Sequence, residues 1–146
     1  MASKGGPAAV PDTALILAAG AGSRLRPRTA APKPLTDVRG RSLAERIVAT
    51  LRAAGVARVV VTVGHEAATV AAHFAEIGER LGVAVAVVEV ADWDLGNGVS
   101  ALAARPALGG GPFFLLMSDH LFDPAIAKAL AGDPPAHGEI RLAVDG

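Results

Sequence analysis

The chain contains no cysteine. Disulfides, thiolate nucleophiles and zinc–thiolate centres are therefore excluded, and a cytoplasmic location is expected. Aromatic residues make up only 3% of its 146 positions, so any core must be built from Val, Leu, Ile and abundant Ala. No charge imbalance exists either, since 14 basic and 14 acidic residues cancel. A nucleic-acid partner is not expected without a basic footprint. No apolar run approaches the roughly 20 residues that span a bilayer, so no membrane segment is expected in this chain. Residues 1–12 are rich in Gly, Pro and Ala and carry one lysine, Lys4, without a hydrophobic run. They read as a flexible N-terminal tail and not as a signal peptide.

What is present is apolar and alternating. The chain is 51% hydrophobic, enough for a real core in one domain over residues 13–146. Strand patterns fall at 14–19, 58–63, 83–90, 113–117 and 140–144, and helical patterns at 42–54, 67–81, 99–105 and 124–131. The unbroken Val59-Val60-Val61 run suits a parallel strand buried on both faces. Alternation with helices then implies a doubly wound, three-layer α/β/α sandwich with a mainly parallel sheet. Helix signals agree: Ser42 with Glu45 forms a capping box, Gly55 stops that helix, and Asp123 before Pro124 starts another. The last pattern is not followed by a closing helix, so the sequence reads as the front part of a longer protein or a shortened homologue of one. The edges of a sheet left open in this way could pair with another chain as an oligomer.

The chemistry gathers after the first strand, where ligands of such sheets collect. Leu17-Ala18-Ala19-Gly20-Ala21-Gly22-Ser23-Arg24-Leu25 is an apolar run that empties into a glycine turn carrying one arginine. Lys33 follows nine residues later between Pro32 and Pro34, in a segment expected to be extended and stiff. Glycines let backbone N–H groups approach phosphate oxygens, and the two cations supply countercharge, so the pattern suits a nucleoside triphosphate. A dinucleotide fingerprint fits poorly, because Leu25 stands where its third glycine belongs and Thr62-Val63-Gly64-His65 offers no acid for a ribose. The Gly-Lys-Ser/Thr ending of a Walker A loop is missing as well. An ordinary glycine-rich turn would not need a lysine braced by two prolines.

These residues carry a resemblance. Leu17-Ala18-Ala19-Gly20-x-Gly22-Ser23-Arg24-Leu25-x-Pro27-x-Thr29 with Pro32-Lys33-Pro34-Leu35 resembles the signature of the sugar-phosphate nucleotidyltransferases, a group with a Rossmann-like GT-A fold. Val38-x-Gly40-x-x-Leu43 extends the likeness toward the first helix. Gly96-Asn97-Gly98-Val99-Ser100 with Met117-Ser118-Asp119-His120 is similar to the inositol-1-phosphate cytidylyltransferases, which are often fused to a membrane phosphotransferase.

The resemblance implies a Mg²⁺-dependent nucleotidyltransferase. It would pass a nucleotidyl group, cytidylyl above all, from an NTP to a sugar or polyol phosphate such as inositol 1-phosphate, releasing pyrophosphate. Leu17, Ala18, Ala19 and Gly20 would lie along the base and ribose, and the N–H groups of Gly22, Ser23 and Arg24 would cradle phosphates. The Arg24 guanidinium and Lys33 would be the catalytic cations. Asn97, Gly98 and Ser100 would border base and sugar, and Asp119 would bind the metal. Complete family members are longer, and their second half supplies most of the acceptor pocket and a second acid. The alternative reading is a catalytically inactive nucleotide-binding or sensing module. On its own, Asp119 could equally cap a helix or form a turn, and His120 could orient it. His65 and His73 read as surface or structural groups, and Trp93 as packing or as cover for a ligand edge.

Overall fold

The computed structural model describes residues 10–21 and 31–144. In chain order the elements are β1 (Thr13–Leu17), β2 (Asp37–Val38), β3 (Arg41–Ser42), α1 (Leu43–Ala53), β4 (Arg58–Val63), α2 (Ala67–Leu81), β5 (Ala84–Glu89), α3 (Asn97–Leu108), β6 (Phe114–Met117) and α4 (Pro124–Gly132). Two single 3₁₀ turns, Lys33–Leu35 and Trp93–Leu95, precede β2 and α3.

Four strands form one parallel sheet in the order β5-β4-β1-β6. From β1 the chain steps outward through β4 to β5, then returns across the sheet to lay β6 on the other flank of β1. Helices α1 and α2 cover one face against Ala14, Ile16, Val59, Val61 and Val63. Helix α3 covers the other, with Ala104 against Leu15, Leu17 and Val60. Right-handed crossovers require this change of face when the direction of travel reverses. Every β1 residue is buried, as expected for a central parallel strand. The three-layer α/β/α reading is thus met.

Local signals account for the helix ends. Ser42 Oγ accepts the Glu45 N–H at 3.1 Å, and Asp123 Oδ1 accepts the Ala125 N–H at 2.8 Å. The Glu45 side chain is drawn elsewhere, 3.2 Å from Arg80 of α2 and 3.8 Å from Arg41. Ser42 also meets His73 Nε2 of α2 at 2.7 Å, which ties α1 to α2 and makes His73 a structural group. Ser42 Oγ accepts from Glu45 and still carries a proton that a neutral His73 ring can accept. Asp12, just ahead of β1, accepts the N–H groups of Ala57 at 2.8 Å and Arg58 at 3.2 Å through its carbonyl.

Three expectations are corrected. Residues 140–144 form no strand; Ile140, Leu142 and Val144 stand 84%, 77% and 81% exposed. Their alternation is strand-like, but a strand forms only where another accepts its backbone, and among the described residues none lies beside this segment. The helix expected at 99–105 begins earlier and runs from Asn97 to Leu108, so Asn97 and Gly98 sit in its first turn and not in a loop. Lys33 is not extended: Leu35 N–H reaches Pro32 C=O at 2.9 Å and Thr36 N–H reaches Lys33 C=O at 3.1 Å, closing a 3₁₀ turn. Pro34 has no N–H to satisfy there and buries its ring. The β2–β3 hairpin was not foreseen. Its turn residues Arg39 and Gly40 both have positive φ, 53° and 81°, and Arg46 of α1 holds the Val38 carbonyl through Nε at 2.8 Å.

Two expected outcomes follow. Helix α2 packs so tightly on β5 that a Cβ on Gly78 would lie 2.6 Å from Val85 Cγ2 and 2.8 Å from the Val83 carbonyl oxygen. Gly78→Ala, a helix-favouring change elsewhere, is expected to destabilise by about 1–3 kcal/mol in thermal or urea unfolding. Burial, the main influence on His73, holds its pKa below the ordinary 6.5, assisted by Arg80 and opposed by Glu76 and Glu45. The neutral ring is therefore favoured by folding. Its contribution is present above pH 6.5 and lost as pH falls through the lowered value, so the urea midpoint should drop more steeply below pH 6.5 in the parent than in His73→Gln.

Candidate active site

The reversal between β1 and β6 opens a crevice beyond their carboxyl ends, the place where such sheets take ligands. The backbone there is tightly held. Ser118 N–H donates to Leu17 C=O at 3.2 Å, joining the ends of β6 and β1, and Ala18 N–H donates to Thr62 C=O at 3.0 Å. His65 N–H reaches Ala19 C=O at 3.0 Å. Leu17, Ala18 and Ala19 are buried and fixed by these bonds, whereas Gly20 is exposed at the start of the turn. Gly22, Ser23 and Arg24 lie outside the described residues.

Across the crevice stands the ion pair on which the site centres. Lys33 Nζ donates to Asp119 Oδ2 at 2.5 Å, although the two residues are 86 positions apart. Each side chain is about three-quarters buried, with exposures of 24% and 29%. Lys33 is presented by the 3₁₀ turn, whose Leu35 packs on the core below α1. Asp119 follows β6 directly, after the buried Ser118. Burial is the largest influence on the Asp119 carboxyl and pushes its pKa up. The Lys33 hydrogen bond and charge, the His120 charge and a backbone bond together outweigh it and hold the carboxyl below the ordinary 3.8. His120 Nε2 is 3.8 Å from Asp119 Oδ1 and largely exposed, so it adds charge at a distance.

The remaining candidates sit on α3. Asn97 and Gly98 are exposed in its first turn, and Ser100 is buried at 3% exposure. Because α3 starts after the carboxyl end of β5, these residues lie at the same edge of the sheet as the crevice. One arrangement escaped the sequence. Trp93 lies directly over Gly64, and its ring meets His65 edge to face with centroids 5.5 Å apart and planes at 60°. A glycine closing a strand was the only sequence signal for it. A hollow of about 350 Å³ between Leu102, Arg105, Leu108 and Phe113 lies at the opposite, amino end of β6 and gathers no reactive groups.

With this geometry the comparisons agree. Residues 14–144 match the family described as the MobA-like NTP transferase domain. The chain belongs to that family. It is 42% identical over 133 residues to a bifunctional IPC transferase and DIPP synthase of Rubrobacter xylanophilus, covering 90% of this chain and 28% of that relative. It is 35% identical over 137 residues to a 2-aminoethylphosphonate cytidylyltransferase of Lancefieldella rimae, covering 88% of this chain and 54% of the relative. Among solved structures it superposes on the inositol-1-phosphate CTP transferase from T. maritima with a TM-score of 0.70 and 31% identity, over 89% of this chain and 52% of that one. The nucleotidyltransferase fold expected from the glycine turn and Lys33 is thus shown. The chain spans about a quarter to about half the length of these relatives.

Lys33 supplies the main force depressing the Asp119 pKa, so Lys33→Met should raise the pKa that carbon-detected NMR reads at the Asp119 carboxyl. The pair's contribution to stability is present above pH 3.8 and fades as pH falls through the depressed value. Acid unfolding of Lys33→Met should accordingly lose part of the parent's pH dependence in that range.

Proposed function

We propose that this chain is the nucleotide-binding part of a cytidylyltransferase acting on a polyol phosphate such as inositol 1-phosphate. The observation that carries the reading is the meeting of Lys33 and Asp119 at the crevice beside the Ala19–Gly20 turn. The names of the inositol-phosphate and aminoethylphosphonate relatives support cytosine as the base and a phosphate or phosphonate oxygen as the acceptor. A cytoplasmic location, where nucleoside triphosphates are available, is part of this proposal.

The chemistry needs no covalent nucleophile. An ionised acceptor oxygen attacks the α-phosphorus of CTP in line, a new P–O bond forms, the bond to the β-phosphate bridge breaks, and pyrophosphate leaves with its electron pair. Both partners are anionic, so positioning and charge neutralisation carry the rate. Lys33 brings a point charge to the α-phosphate, and Arg24 a planar fork to the triphosphate. By the resemblance, the N–H groups of Gly22 and Ser23 would meet phosphate oxygens.

The residues present fit a magnesium ion carried by the phosphates. Among the described residues no group of three or more acidic or histidine side chains converges, so a metal cage made by the protein is not supported there. One carboxylate at the mouth of the crevice suits Mg²⁺, which keeps several waters and takes one or two carboxylates with substrate phosphates. Asp119 would hold it, and the bound ion would neutralise charge on the phosphates. A second reading, a silent nucleotide-sensing module, draws on the same pair, since Lys33 already occupies the Asp119 carboxylate.

Calorimetry with CTP and magnesium should show binding by the wild type. Lys33→Ala should weaken it by about tenfold to a hundredfold, the range of a charged hydrogen bond. Pyrophosphate release on adding inositol 1-phosphate distinguishes the enzyme from the sensing module, and a folded wild type that binds no CTP sinks both readings.

A further inference from the structure

A second pair of side chains, Trp93 and His65, stands beyond the end of β4. Trp93, the chain's single tryptophan, stands in the 3₁₀ turn Trp93–Leu95 between β5 and α3. Its side chain crosses back over the end of β4, so closely that a Cβ on Gly64 would lie 2.4 Å from Trp93 Cβ and 2.5 Å from its Cγ. No residue other than glycine leaves room for this approach. The indole is only half-buried, which leaves part of its surface open to a ligand. The His65 ring backs it edge to face, and the His65 N–H is anchored to Ala19 C=O, at the start of the glycine turn.

Three features therefore line one edge of the sheet in order. The Lys33–Asp119 pair stands at the end of β6, the Ala19–Gly20 turn at the end of β1, and the Trp93–His65 pair at the end of β4. Neighbouring strands are about 4.8 Å apart, so the charged end and the aromatic end are separated by about 10 Å. A nucleotide has the same polarity, with phosphates at one end, a sugar between and a flat π-system at the other.

We infer that Trp93 is the wall of the nucleotide site against which the base lies, with Gly64 as the positioning residue that lets the indole seat and His65 as its backing. The inference rests on the nucleotidyltransferase reading and extends it to the base end. Stacking on an aromatic face tolerates any base. Trp93 therefore contributes affinity for the nucleoside, and the choice among bases falls to polar groups around it.

A lone tryptophan makes its own reporter. Titrating the full chain with CTP and magnesium, by calorimetry and by tryptophan emission on the same samples, should give one saturating curve in both. Inorganic tripolyphosphate, which has no base, should give heat but leave the emission unchanged. Trp93→Ala should weaken CTP by about tenfold or more while tripolyphosphate binds as before, and Trp93→Phe should retain most of the CTP affinity. Gly64→Ala, which pushes the indole off its seat, should weaken CTP in the same selective way. Heat from CTP without an emission change overturns the inference and leaves the nucleotidyltransferase reading standing, as does unchanged CTP affinity in Trp93→Phe and Trp93→Ala alike. Equal loss of CTP and tripolyphosphate in a folded Trp93→Ala also overturns it. Absence of heat from every triphosphate overturns both.

Discussion

The burial of β1 on both faces is the constraint from which the site follows. A central parallel strand with no exposed residue needs helices above and below it. The chain can meet that need with right-handed crossovers only by building outward in one direction, reversing, and returning along the opposite face. The reversal leaves β6 beside β1 and opens the crevice at their carboxyl ends. Residues just past these two strands are thereby brought together whatever their separation in sequence. Ser118 bonded to Leu17 is the seam, and Lys33 and Asp119 face each other above it.

The electrostatics of that crevice suit a polyanion with a metal. A lysine and a carboxylate that are each about a quarter exposed at the rim form a weakly stabilising pair, because solvent still screens them and ordering both side chains costs entropy. Its value lies in exchange. On the proposed function, a magnesium ion and a triphosphate would offer Asp119 a cation and Lys33 an anion, so both charges would stay compensated when the ligand enters. The Lys33 hydrogen bond and charge hold the Asp119 carboxyl below its ordinary 3.8, so it stays ionised beside the lysine.

Much of this was legible beforehand because it depends on near neighbours in the chain. The Ser42–Glu45 cap, the Gly55 stop and the Asp123–Pro124 start set helix ends through contacts within four residues. The Val59–Val61 run announced a strand buried on both faces, and the glycine turn with Lys33 announced a family that residues 14–144 then matched. The failures involve distant partners. Residues 140–144 alternate like a strand but lack a neighbouring edge. The helix expected at 99–105 runs from Asn97 to Leu108, with Ser100 and Ala104 buried on the sheet side. Lys33 adopts a 3₁₀ turn because Pro34 and Leu35 find burial beneath α1.

Composition, hydrophobic period and turn chemistry are properties of short stretches, and by themselves they determined the fold class and the starts of α1 and α4. Tertiary structure alone decided that Lys33 would find Asp119, that Gly64 would make room for Trp93, and that His73 would hold Ser42. Each of these contacts joins residues that sequence leaves apart, and its geometry is set by the order of strands in the sheet and the helices packed on them.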